Sequence, residues 1–137
     1  MNTQLIQETA SRTTVGAISF PDVVANLLQA GVEYYHVDYV ALTQTSYSAD
    51  GHAVVSVPLV FEGLPEIPAA FDTAALRAAI LDSQRNGQVF RDFTRRAMEA
   101  GVQGYFAFLQ GKRVTYFGRR GDQHVEWFPG VQPAARE

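Results

Sequence analysis

The sequence contains no cysteine among its 137 residues. This absence excludes a disulfide framework, a thiolate nucleophile and a zinc site built on cysteine. No apolar stretch is long enough to span a membrane, and Met1 to Thr14 lack the basic start and apolar run of a signal peptide. We therefore expect a soluble, cytoplasmic protein with no membrane partner.

The motifs of familiar enzyme classes are also missing. The sequence has no Gly-rich phosphate loop with its Lys-Ser/Thr pair and no Gly-x-Ser-x-Gly nucleophile elbow. These absences favour a protein that is not an enzyme, and they give no reason to predict a cofactor.

What the chain has is apolar and aromatic residues, and an uneven distribution of charge. Hydrophobic residues make up 47% of the chain, with nine Phe and six Tyr, which is enough for one core and a single domain over residues 1–137. Residues 1–84 hold two arginines against nine acids, whereas residues 85–121 hold eight basic residues against two acids. Such a split can serve an anion-binding face, attract the two halves to each other, or be a solvated surface.

The chain contains a weak internal repeat, in which residues 20–55 align with residues 90–125 without a gap. The matching residues lie where helices and turns begin or end, such as the glycines Gly31 and Gly101 that would end a helix in each copy. Each copy predicts one helix followed by three strands. We predict an α+β fold of two helix-β-β-β units joined by a linking helix, with helices covering a mainly antiparallel sheet. Whether the two sets of strands form one sheet stays open.

Two further boundaries follow from local signals. Asp72 is placed to cap the linking helix over Thr73 to Asn86, and Gly87 is placed to end it. The tail after residue 129 holds prolines and a glycine, and we predict that it is frayed.

Two segments carry a resemblance to a known family. They are Tyr35-His36-Val37-Asp38 and the stretch from Tyr116-Phe117-Gly118-Arg119 to His124-Val125-Glu126. Together with the spacing around them, they resemble the small bacterial proteins typified by YdfO and YbcV, from about residue 20 to residue 129. The resemblance implies a small α+β fold and a prophage origin, and some relatives are labelled phage envelope protein. It supplies no catalytic residues.

Two groups of polar residues are candidates for chemistry. Alternation places Tyr34, His36 and Asp38 on one face of their strand, and it places His124 and Glu126 on one face of another. If the two groups converge, they would suit a divalent metal or acid–base catalysis. Cross-strand polar packing is the alternative, and the sequence gives no firm ground for assigning a metal.

The basic residues Arg113, Arg119 and Arg120 are candidates for binding an anion. Residues 118–121 would form either a backbone nest for an anion or an ordinary hairpin turn. Aromatic residues lie between these basic residues, as in some nucleic-acid-binding proteins, but a pI of about 5.6 argues against nucleic acid.

The interpretation that the sequence favours is a non-enzymatic binding or interaction domain of prophage origin. Its contact surfaces would be the polar strand face and the Arg-rich second unit. The partner would be another protein or a second copy, because exposed edge strands allow a homodimer. The alternatives are a small metal-binding protein or enzyme, and weak nucleic-acid or anion binding.

Overall fold

A computed structural model describes residues 1–14, 16, 18–51, 53–86 and 90–131. These residues form four helices and six strands, in the order α1 (Thr3–Thr14), α2 (Phe20–Gln29), β1 (Val32–Asp38), β2 (Thr43–Ser48), β3 (Val54–Pro58), α3 (Thr73–Asn86), α4 (Phe90–Glu99), β4 (Val102–Phe108), β5 (Arg113–Gly118) and β6 (Gln123–Trp127). The predicted α+β class is confirmed. A helix followed by three strands occurs twice, and α3 links the two units.

All six strands form one antiparallel sheet with the order β3-β2-β1-β4-β5-β6. The two units therefore join through their first strands, β1 and β4, at the centre of the sheet. In this central pairing His36 lies opposite Phe106, Tyr34 opposite Phe108, and Asp38 opposite Gly104. The question that the sequence left open is thus answered by a single continuous sheet with β3 and β6 at its edges.

The helix boundaries form where the sequence places them. Ser19 caps α2 by accepting a hydrogen bond from the backbone three residues on, and Asp72 caps α3 in the same way. Gly31 and Gly101 follow α2 and α4 with φ of +90° and +97°, a backbone conformation that favours glycine. The predicted stop at Gly87 lies outside the described residues, as does the tail at residues 132–137.

The gap-free alignment of the two units is wrong in the third strand. It pairs Val55 with Val125, but the structure places them on opposite faces of the sheet. Val55 lies opposite Ser46 and packs against the core, whereas Val125 lies opposite Thr115 and is 44% exposed.

The cause is the length of the turn before the third strand. After β2 the N–H of Ser48 donates to the carbonyl of Ala53, but after β5 the N–H of Gly118 donates to the carbonyl of Asp122. The first turn is therefore one residue longer, and one residue is enough to move every following side chain to the other face.

The core lies between the helices and one face of the sheet, which we call the covered face. Ile6 of α1, Leu27 of α2 and Leu76 of α3 are all fully buried there. The sequence gives only a weak signal for α1, yet its Ile6 is among the most buried side chains. Among the described residues, no helix has the length and apolar character that a membrane span requires.

Ser46 on β2 provides a test of core energetics. Its side chain is 0% exposed, and its hydroxyl has no hydrogen-bond partner among the described residues. Because an unsatisfied buried hydroxyl is destabilising, we expect Ser46→Ala to raise the free energy of unfolding by about 1 kcal/mol in urea titrations. Thr45→Ala, on the other face, is the matched control and should not stabilise. A Ser46→Ala protein less stable than the parent would contradict this account.

Candidate functional site

A cleft of about 450 Å³ lies between the helices and the covered face of the sheet. Its walls come from the chain between α1 and α2, the first turn of α2, the end of α3 and the start of α4. Its floor comes from strands of both units. The cleft therefore lies where the two helix-β-β-β units meet.

Three tyrosines form much of the floor. Alternation along β1, β4 and β5 turns Tyr35, Tyr105 and Tyr116 to the covered face, and the register brings them side by side. The ring centres of Tyr105 and Tyr116 are 5.4 Å apart, and those of Tyr35 and Tyr105 are 6.3 Å apart. Burial raises the pKa of all three phenols well above its ordinary value. The floor consequently offers neutral hydroxyls to a ligand.

The walls of the cleft are mostly apolar. At depth they are formed by Val23, Ile80, Phe93 and Val114, all at most 9% exposed. Towards solvent the cleft is bordered by aromatic and proline side chains: Phe20, Pro21, Phe90, Phe128 and Pro129. An apolar body with a few polar groups at the floor is the usual character of a small-molecule site.

One end of the cleft carries a carboxylate. Glu126 of β6 lines the cleft, and its Oε1 lies 3.0 Å from Nε2 of His124. The ring of His124 also stacks on Tyr116, with ring centres 6.4 Å apart. The negative charge of Glu126 adds to burial in raising the pKa of Tyr116. This end of the cleft would therefore favour a cation or a hydrogen-bond donor.

The structure separates the two polar groups that the sequence singled out. His36 and Asp38 lie on the open face of the sheet, opposite the covered face that carries His124 and Glu126. The ring of His36 stacks on Phe106 at 4.3 Å. The two pairs thus lie on opposite faces of the sheet and three strands apart, so they cannot share one ion.

Asp38 has a local structural role. One oxygen of its carboxylate accepts hydrogen bonds from the backbone N–H groups of Val40 and Ala41, at 2.8 and 2.9 Å. These bonds hold the turn between β1 and β2. Within the described ranges, no cluster of three or more His, Cys, Asp or Glu residues could hold a metal ion.

The three candidate arginines do not come together. Arg113 starts β5, and its guanidinium lies 4.4 Å from the ring centre of Trp127, which is a cation–π contact. Arg119 and Arg120 follow the other end of β5, and Arg119 donates a hydrogen bond to the carbonyl of Ile67 at 3.0 Å.

The segment at residues 118–121 is a hairpin turn. The N–H of Gly118 donates to the carbonyl of Asp122, and the N–H of Gly121 donates to the carbonyl of Gly118. Both groups are therefore engaged within the turn, which corresponds to the ordinary alternative rather than to an anion nest.

Sequence reasoning missed the cleft. No pattern along the chain shows that the helices leave space above Tyr35 and Tyr105 on the covered face. The available signal was the presence of hydroxyl-bearing rings at central positions of two core strands, where Leu, Ile or Val is commoner.

Comparison with known proteins places the chain in a family. Residues 17–126 match the family model described as "Protein of unknown function (DUF1398)". Uncharacterized proteins of Mycobacterium bovis and Mycobacterium tuberculosis are similar, at 32% identity over 135 residues, covering 97% of this chain and 80% of each relative. The chain therefore belongs to the DUF1398 family of proteins of unknown function.

Proposed function

We propose that this protein is a non-catalytic binding protein that holds a small organic molecule in the cleft between its helices and its sheet. The observation that carries the proposal is the cleft itself, about 450 Å³ in volume, with three buried tyrosines at its floor. Ligand sites in proteins commonly have volumes of about 300 to 1,000 Å³ and combine apolar walls with a few convergent polar groups.

The lining selects for a class of ligand. A flat aromatic or branched aliphatic body would pack against Phe93, Ile80 and Val114, all of which are largely buried. Its polar end would meet neutral phenols, which both donate and accept hydrogen bonds. Because Glu126 lies at one end, an anionic group is disfavoured, whereas an amine or a neutral donor is favoured.

A neutral hydrophobic fluorophore, N-phenyl-1-naphthylamine, tests the cleft directly. We expect its fluorescence to rise on mixing with the protein, because the apolar walls exclude water from the dye. Ser83 of α3 is half-buried and lines the cleft, so Ser83→Trp should fill it and weaken dye binding at least tenfold.

The matched control is Ala78→Trp, which adds the same ring to an exposed position of the same helix and should leave dye binding unchanged. Equal dye binding by the two tryptophan variants would place the dye elsewhere. No fluorescence response from the parent protein would remove the proposal for ligands of this class.

The alternative function, metal binding or acid–base catalysis, has fewer residues available to it than the sequence suggested. Of the two polar pairs, only His124 and Glu126 are at the cleft, since His36 and Asp38 are on the open face. The alternative therefore reduces to one His–carboxylate pair beside a tyrosine. Nucleic-acid or anion binding by the arginines gains no support from their positions, because they lie at opposite ends of β5.

Five further expectations about this protein are not established by its family membership, and we include them in the proposal. The closeness to YdfO and YbcV, the prophage origin, the single domain, the cytoplasmic location and the lack of a cofactor are parts of this proposal. They are supported by the sequence observations already given.

A further inference from the structure

The open face of the sheet carries rows of side chains that the helices do not cover. None of these residues belongs to the core cluster that the helices form with the sheet. From β3 to β6 the first row consists of Val54, Tyr47, Tyr34, Phe108, Arg113 and Trp127. The second row consists of Ser56, Thr45, His36, Phe106, Thr115 and Val125. This is a broad aromatic surface, and its two outer valines, Val54 and Val125, are 59% and 44% exposed.

Two pairs of rings from neighbouring strands of this surface stack face to face. Tyr34 stacks on Tyr47 at 4.7 Å and His36 stacks on Phe106 at 4.3 Å, with interplanar angles of 17° and 11°. Each of these four rings therefore has one face in contact with a neighbouring ring of the same chain. Single-stranded nucleic acid binds to free ring faces, so this geometry disfavours it as the occupant.

The charge of the open face also points to a specific kind of partner. A third row completes the face and consists of Pro58, Thr43, Asp38, Gly104, Phe117 and Gln123. Within the three rows, Asp38 and Arg113 carry opposite charges, so the fixed charges cancel. A nucleic acid or an anionic lipid surface would meet little positive charge here. A second copy of the same neutral, aromatic face would meet no net repulsion.

We propose that the open face binds the open face of a second copy, with a two-fold axis parallel to the strands between β1 and β4. In this arrangement each row meets itself in reverse order. His36 lies over the partner's Phe106, and Tyr34 over the partner's Phe108. The result is an aligned packing of two sheets, a common way for proteins to bury a sheet face.

The same axis pairs the charged residues with neutral ones. Arg113 lies over the partner's Tyr47 and Asp38 lies over the partner's Gly104, so each charged residue faces an uncharged one. No like charges face each other. The face is thus complementary to itself under this one operation, as a symmetric dimer requires.

The size of the face sets the expected strength. Six strands about 4.8 Å apart and three rows about 6.7 Å apart cover roughly 500 Å² on each copy. Two copies would bury about 1,000 Å² together, which is at the lower limit for a specific interface. We therefore expect a dimer with a micromolar dissociation constant, monomeric when dilute.

Analytical ultracentrifugation across low-micromolar to near-millimolar concentrations tests the dimer, and a charge swap tests its geometry. Thr45 and Thr115 are half-buried on the open face and would lie over each other across the axis. Thr45→Glu with Thr115→Glu should place like charges together and weaken the dimer at least tenfold. Thr45→Arg with Thr115→Glu should place opposite charges together and restore it.

Circular dichroism would confirm that both double variants fold, and Val125→Glu, at an exposed outer position, provides a milder disruption if either does not. Ala78→Glu on α3 is the control away from the face and should leave association unchanged. A parent protein that stays monomeric at near-millimolar concentration overturns the proposal. So does a dimer that tolerates both double variants equally. Retention of an oligothymidylate by the monomer would instead assign the face to nucleic acid.

Discussion

Raising the pH to about 11 is expected to remove about 6 kcal/mol from the free energy of unfolding. Tyr35, Tyr39, Tyr105 and Tyr116 are buried, and burial raises the pKa of each above its ordinary value of 10. In the unfolded chain these phenols release their protons near pH 10, but in the folded protein they keep them. The unfolded state is therefore stabilised as the pH rises above 10, and the stability present below that pH is lost.

The magnitude follows from the number of groups. Each tyrosine that ionises only on unfolding contributes about 1.4 kcal/mol at one pH unit above its ordinary pKa, and there are four of them. A typical domain has a free energy of unfolding of about 5 to 15 kcal/mol, so the loss at pH 11 is a large fraction of the total, and unfolding is expected as the pH rises further. The measurement is circular dichroism against pH, with the ultraviolet absorbance of tyrosinate followed in the same samples.

Single tyrosine variants make the prediction specific. Tyr39→Phe removes one buried phenol and should move the alkaline midpoint upward. Tyr47→Phe is the matched control, because Tyr47 is on the open face outside the core, and it should leave the midpoint unchanged. Tyrosinate absorbance that grows fully before the circular dichroism signal is lost would show that the covered face admits hydroxide, and would refute this account.

Gly101→Ala is expected to be strongly destabilising, more so than alanine at the other left-handed glycines that the structure describes. A Cβ at Gly101 would lie 2.3 Å from the carbonyl oxygen of Ala70, and the backbone φ of +97° is strained for any L-residue. The position of the Cβ is fixed by the backbone and the oxygen is a backbone atom, so the contact cannot be relieved by turning a side chain. We expect a loss of about 3 kcal/mol or more in the free energy of unfolding.

Gly31 provides a natural comparison, since it ends the helix of the first unit at the equivalent position. Its φ is +90°, but an added Cβ would meet Met1 only at 3.6 Å, which is ordinary contact. Gly31→Ala should therefore lower the free energy of unfolding by only about 1 to 2 kcal/mol, the cost of placing an L-residue in the left-handed backbone conformation. Urea unfolding of the two variants measures the difference, and equal losses would mean that the segment at Ala70 can move away at little cost.

Much of the fold was predictable because local signals and periodicity agree. Asp72 starts α3, Gly31 and Gly101 end α2 and α4, and alternation correctly places Tyr34, His36 and Asp38 on one face of β1. The register of the third strands was not predictable. It depends on one additional residue in a turn, and a turn of either length is compatible with the same Asp-Gly or Gly-Asp signal.

The candidate site was less predictable than the fold. Alternation correctly put His124 and Glu126 on one face, but only the order of the strands shows that His36 lies on the opposite side of the sheet. The cleft depends on how closely α2, α3 and α4 approach the sheet, and no pattern along the chain reports that distance. The stacked rings of the open face likewise come from neighbouring strands. Which rings stack on each other could be known only once the register of those strands was known.

The seam between β1 and β4 has its own symmetry. His36 and Phe106 occupy equivalent positions in the two units and lie opposite each other. Tyr34 lies opposite Phe108, which is the equivalent of Asp38. Asp38 lies opposite Gly104, which is the equivalent of Tyr34. A strand that pairs in this way about a central residue can pair with an identical copy of itself. The pairing of β1 with β4 is therefore one that two identical half-length chains could form with each other, and in this protein α3 links the two halves covalently.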